Sequence, residues 1–267
     1  MKGLQVAILL SLQVGCLVAF AGSSTRASWT NVAYRVAAEG TALLKNEQTA
    51  LPVAPGSTFC YYSWGKLEIC GGGSAFVNVE RKVDLPEMLE ATGLKRVNSD
   101  ADLGIVVISR SAAEGRDIER YWFNLPEHEL GGVNGAGRVA KKVVVIVNAG
   151  HLVNLRPIKD NPAVNAILFC WFPGQEGAAA LADIIVGKVN PSGRLPFAIG
   201  KKDSDYPDVK WLSLHQHYGY YNGYKKLEKD GKDVDFPYGF GLSYTDFELK
   251  NIALESADEE KAVFEVT

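Results

Sequence analysis

Three apolar runs constrain this chain more than anything else in it. "LGIVVIS" (103–109), "KKVVVIVNA" (141–149) and "VNAILFCWF" (164–172) are short and rich in β-branched residues. A strand with one wet face alternates apolar and polar side chains, whereas a strand that is apolar throughout is covered on both faces. Such strands belong to a parallel sheet, whose crossover helices lie over both surfaces. Helical character falls where crossovers are needed, weakly over 125–140 and strongly over 175–187. Upstream, "VERKVDLPEMLEAT" (79–92) also looks helical, with Gly93 as its stop. "TFCYYSW" (58–64) reads as a further strand and "CGGGSAF" (70–76) as a loop. "WTNVAYRVAAEGTALLKNE" (29–47) spaces Val32, Val36, Ala37, Leu43 and Leu44 as an amphipathic helix broken near Gly40. The alternation predicts an α/β fold over residues 28–200: an open, mostly parallel, doubly wound sheet with helices on both faces.

The two ends differ in character. Met1-Lys2 precedes an uncharged apolar stretch from Leu4 to Phe20, closed by the small-x-small site Ala19-Phe20-Ala21. Residues 1–21 therefore read as a secretory signal peptide, and the protein as secreted or periplasmic. Left uncleaved, the same stretch would serve as a membrane anchor, though Gln5 and Gln13 weaken it as a span. At the other end, 201–242 is polar and aromatic without a helical period and reads as a long surface connection. From Ser243 the residues alternate as in a strand, and "KAVFEVT" (261–267) supplies a second. Two strands are not stable alone, so 243–267 reads as the start of a β domain.

Composition excludes several functions. A net charge of -3 over 267 residues leaves no basic footprint for nucleic acid. Once the signal is removed, Cys60, Cys70 and Cys170 remain, an odd count that argues against a disulfide framework. Cys60 and Cys170 lie in apolar runs and are expected as buried small hydrophobes, while a Cys60–Cys70 bridge stays open. No Cys/His spacing fits a metal, and His215 and His217 are expected at the surface of a Tyr-rich loop. "GGVNGAGRVA" (131–140) lacks the preceding strand that a dinucleotide loop needs, so no cofactor is implied. Glu176 opens a helix, where the macrodipole alone accounts for an acid.

Glu114 is harder to explain structurally. In "ISRSAAEGRD" (108–117), a buried strand ends in a loop of small residues carrying one carboxylate between Arg110 and Arg116. In an open parallel sheet, ligands bind outside the carboxyl ends of the strands. A carboxyl placed there suits a general acid/base. Spacing alone leaves the other reading open: a solvated loop acid paired with Arg110 or Arg116.

Four stretches carry a resemblance. "RVAAEGTALLKNEQTALPV" (35–53), "SRSAAEGRD" (109–117), "PGQEGAAALADIIVGKVNPSGRLP" (173–196) and "DFPYGFGLSYTDFEL" (235–249) occur in the order seen in the family-three glycoside hydrolases, the β-glucosidase and β-xylosidase group. The resemblance implies a six-stranded α/β sandwich followed by a fibronectin type III-like domain. It implies removal of terminal β-linked glucosyl or xylosyl residues with retention, by two carboxylates. The nucleophile would be an aspartate on a (β/α)8 barrel, and the acid/base the glutamate of the "EG" loop, here Glu114. Arg110 and Asp117 are the expected substrate contacts on that loop.

The chain departs from the pattern in three places. Ile118 stands where an arginine is usual, with Arg120 two residues on as its substitute. "HQHYGYYNGYKK" (215–226) replaces an acidic residue and a Gly-Tyr-Arg, with Lys225 or Lys226 near the arginine position. The 267 residues hold no segment for a barrel, and "GGGSAFVNVERKVDLPEMLEATG" (71–93) resembles a permuted branch that carries its barrel last. The expected partner is therefore a barrel in cis downstream or in trans, and the expected ligand a β-linked oligosaccharide or glycoside. The competing expectation is a secreted carbohydrate-binding or accessory module that has lost catalysis. A flavodoxin-like cofactor binder is a third, resting on fold class alone and lacking a phosphate loop.

Overall fold

The computed structural model describes residues 23–79, 84–118, 120–207, 213–246, 248, 250–257 and 262–266. The predicted signal peptide therefore lies outside the described residues, and among those residues no helix is long and apolar enough to cross a membrane. In chain order the first half forms α1 (Ser23–Gly40), β1 (Ala42–Asn46), β2 (Thr58–Trp64), α2 (Leu85–Ala91), β3 (Lys95–Arg96) and β4 (Ala101–Arg110). The second half forms α3 (Glu127–Val139), β5 (Ala140–Ala149), α4 (Arg156–Lys159), β6 (Val164–Phe169), α5 (Gly177–Ile185), β7 (Ile199–Gly200), α6 (Gly223–Lys229), β8 (Val234–Phe236), β9 (Ile252–Ala257) and β10 (Ala262–Val266).

Six strands make one sheet in the order β1-β6-β5-β4-β2-β3. All its pairings are parallel except β1 with β6. The apolar runs are its centre, and their successive side chains point to opposite faces. Val106, Ile108, Val145 and Val147 pack with Val133 and Ala136 of α3. Leu103, Ile105, Val107, Val144 and Ile146 pack on the other face with α2 and α5. The small residues of α5, Ala178 and Ala182, let it lie close to the sheet.

Sequence periodicity misreads three places. Leu43 and Leu44 are not on the first helix, which ends at Gly40, but on β1. Leu44 belongs to one core cluster and Leu43 to the other, the two-faced burial of a strand. The connection 201–242 contains α6, β8 and the antiparallel β7–β8 pair. In α6 only Leu227 is buried, too little apolar surface to print a period. The β alternation starts at Ile252 rather than Ser243. Ser243 Oγ instead donates to the Pro191 carbonyl (2.8 Å) and Tyr244 OH to that of Ile184 (2.8 Å), docking this stretch on α5.

The three described cysteines are free. Cys60 and Cys170 are buried as their apolar runs imply, and burial pushes the Cys170 thiol up to about 12. At the amino end of the sheet, Asp102 accepts from Lys141 Nζ (2.8 Å), the Thr58 amide (3.0 Å) and Thr58 Oγ1 (2.9 Å). Lys141 first, then Thr58, holds that carboxyl down to about 2. In the unfolded chain it titrates near pH 4, so its contribution is complete above that and is lost as pH falls toward 2. We expect Asp102→Asn to flatten the melting temperature against pH between pH 4 and pH 2, relative to wild type. Superimposable slopes would refute the linkage.

Candidate active site

The parallel strands β2, β4, β5 and β6 deliver their carboxyl ends to one edge of the sheet. There a cavity of about 1000 Å³ opens, walled mainly by the segment after β2 (66–79) and the loop after β4 (111–118). Gln175, ahead of α5, and Asp84 and Glu87 at the start of α2 complete it. Its charged lining mixes Lys66 and Arg116 with Glu68, Asp84, Glu87 and Asp117.

Glu114 is exposed on the β4 loop beside this cavity, although its own side chain is not part of the lining. Among the described residues its carboxyl has no ion pair and no side-chain hydrogen bond, so the reading as an acid paired with Arg110 or Arg116 finds no support. Its backbone is held instead. The Glu114 amide donates to the Gly72 carbonyl (3.0 Å), and the Gly72 amide donates to that of Ala112 (2.8 Å). Gly72 and Ala113 form a parallel bridge.

Arg110 is not placed as a substrate contact, contrary to the sequence expectation. Its side chain is 2% exposed and pairs with Glu129 (Nη2 to Oε2, 2.8 Å), itself 6% exposed. It also donates to the carbonyls of Trp122 (2.8 Å) and Asn124 (2.9 Å), and its guanidinium lies 5.5 Å from the Trp122 ring. A strand-end arginine inside an α/β core requires such partners, because an unpaired buried guanidinium is costly. Asp117 lines the cavity, and Ile118, 42% exposed, lines it too. Lys226 pairs with Asp230 (2.5 Å) and Lys225 lies 4.6 Å from the Tyr220 ring, so both are engaged within their own segment.

Two supporting groups escaped sequence reasoning. Asn148, fully buried near the end of β5, bonds in four directions. Its Oδ1 accepts from the Glu68 amide (2.6 Å) and Ser109 Oγ (2.7 Å); its Nδ2 donates to the Glu68 (3.0 Å) and Trp171 (2.5 Å) carbonyls. It thus ties the β2, β4 and β6 ends together. We expect Asn148→Leu, which keeps the bulk and removes every bond, to cost about 1–3 kcal/mol by leaving its part-buried partners, above all the backbone of Glu68 and Trp171, without theirs. Urea unfolding with an unchanged slope checks it; a loss below about 0.5 kcal/mol would contradict it. The second group is His151, whose Nδ1 lies 2.9 Å from the Leu152 carbonyl. Burial lowers its pKa, the Leu152 carbonyl opposes the shift, and the charge of Arg110 adds to it. A polar residue interrupting an apolar run, Asn148 in "VVVIVNA", was the available signal for the first.

Comparison with known proteins places this geometry in context. The family model described as "Glycosyl hydrolase family 3 C-terminal domain" matches residues 41–244. A protein named "Probable beta-glucosidase L" from Aspergillus terreus is 34% identical over 62% of this chain and 24% of its own length. The "Exo-alpha-(1->6)-L-arabinopyranosidase" of Bifidobacterium longum is 25% identical over 88% of this chain and 36% of its own. The structure of β-glucosidase 3B from Thermotoga neapolitana, solved in complex with α-D-glucose, is 25% identical. It superposes with a TM-score of 0.78, over 86% of this chain and 40% of its own. The chain thus spans between 24% and 40% of the length of these relatives.

Proposed function

We propose, from the premise that this chain belongs to glycosyl hydrolase family 3, that it is the α/β sandwich of a retaining β-glycosidase and supplies the general acid/base, Glu114. One observation carries this reading: an exposed carboxylate, with no ion pair among the described residues, stands on a backbone-anchored loop at the carboxyl edge of the sheet. In the first step that carboxyl protonates the glycosidic oxygen as the bond to the leaving group breaks. In the second, as carboxylate, it takes a proton from the water that releases the sugar. The covalent partner is an aspartate on a (β/α)8 barrel supplied downstream in cis, as in a permuted arrangement, or in trans. Retention requires the two carboxyls about 5 Å apart, so the barrel must present its aspartate against the 111–118 loop. The substrate class is a terminal β-linked glucosyl or xylosyl residue. Residues 1–21 fit export to the periplasm or the medium, and the β9–β10 pair (252–266) the first strands of a fibronectin-like domain.

The 267-residue chain alone is expected to show no turnover of an aryl β-glucoside, since a proton donor without a nucleophile cannot form the glycosyl-enzyme. Turnover by the purified chain that disappears in Glu114→Gln would overturn this division of labour. Ile118, apolar and exposed where the family resemblance implies an arginine, favours the second reading, a non-catalytic sugar-binding module. Sugar binding with no hydrolysis, even once a barrel is supplied, would select it.

A further inference from the structure

The stretch "CGGGSAF" does more than turn the chain. A Cβ built at Gly72 would lie 3.1 Å from the Ala113 Cβ, and one at Gly71 would lie 3.4 Å from the Ala112 carbonyl oxygen. At Gly73 it would lie 2.5 Å from the carbonyl oxygen of Glu114 and 3.2 Å from its nitrogen. Real Cβ atoms do not come within 2.5 Å of backbone, so only glycine fits at Gly73, whereas at Gly72 the Ala113 methyl would have to give by a few tenths of an ångström. Gly73 also has a φ of +67°, which glycine adopts without penalty. The glycine segment is in turn fixed to the core. Glu68 is bound on both backbone sides by Asn148, and the Ile69 carbonyl accepts from the Gly174 amide (2.9 Å). A continuous chain of contacts therefore runs from β5, through 68–69, to the peptide of Glu114.

We infer that Gly72 and Gly73 are positioning residues: their backbone clamps the Glu114 peptide and so sets where its carboxyl stands. The catalytic meaning of the clamp rests on the acid/base reading of Glu114, but the clamp itself is a property of this chain and can be measured without activity. Loop amides that are hydrogen-bonded only in the closed arrangement exchange slowly, and exchange rapidly once it opens.

The test is residue-resolved amide hydrogen exchange on the 267-residue chain. The variants are Gly73→Ala and, as a control, Gly56→Ala. Gly56 has a similar φ of +76° but nothing within 4 Å of a built Cβ, so it reports backbone strain without collision. In Gly73→Ala the amides of Gly72 and Glu114 are expected to exchange at least about 100-fold faster, with the β4 and β5 amides unchanged. In Gly56→Ala those two amides keep their wild-type rates. Wild-type protection of both amides in Gly73→Ala would overturn the inference, as would equal acceleration in the two variants. Should Gly73→Ala lose the β4 and β5 protection as well, Gly72→Ala carries the test through its milder contact. It must accelerate the same two amides at least about 10-fold while the core stays protected, and unchanged rates would overturn the clamp. A catalytically silent Glu114 would leave all these rates as they are, so failure of the acid/base reading and failure of the clamp are distinguishable.

Discussion

Glu129→Leu is expected to lower folding stability by about 3–5 kcal/mol, the cost of leaving one member of a buried ion pair alone. Arg110 and Glu129 are both almost fully enclosed and 2.8 Å apart, so water cannot replace the lost carboxylate. The guanidinium would keep its bonds to the Trp122 and Asn124 carbonyls, which tie the end of β4 to the segment beyond the 111–118 loop. Its charge would have no counter-ion. The pair is therefore a brace across the base of the 111–118 loop, joining the strand before it to the first turn of α3 behind it. Equilibrium urea unfolding at neutral pH measures the effect as a fall in midpoint at constant slope. Arg110→Met, Glu129→Leu together should recover part of the loss by removing the orphaned charge. Recovery stays incomplete because the Trp122 and Asn124 carbonyls then lack their donor. A loss under 1 kcal/mol in the single variant would mean that solvent reaches the pair.

The α/β sheet was legible because burial on both faces leaves no polar position to interrupt a strand. Ile105-Val106-Val107-Ile108 and Val143 to Val147 announce themselves by composition alone. The stripe of α5 was legible for the same reason, since Ala178, Leu181, Ala182 and Ile185 all face the core. β1 was hidden because its two leucines also satisfy a helical spacing, and only the partner strand β6 decides between the two periods. α6 was hidden because it buries one side chain. At the site, the position of Glu114 beyond the end of β4 followed from local sequence. The fate of Arg110 did not, because its partner Glu129 lies 19 residues away. A motif assigns a residue to a loop; which of two adjacent charges turns inward depends on contacts between elements distant in sequence.

For the reaction, the largest effect is expected at Glu114 once this chain is joined to a nucleophile-bearing barrel. General acid catalysis contributes about 10²–10⁴-fold, and only where the leaving group needs the proton. A dinitrophenoxide leaves unaided, whereas an alkoxide or sugar hydroxyl does not. The ratio of kcat/KM between wild type and Glu114→Gln isolates bond cleavage from later release of the sugar. Measured across a series of β-glucosides of rising leaving-group basicity, that ratio tests whether Glu114 donates the proton. The expected ratio is near unity for the dinitrophenyl glucoside, growing to about 10³-fold for the most basic leaving groups. A loss of the same size for every member of the series would show that Glu114 positions or binds but does not donate the proton.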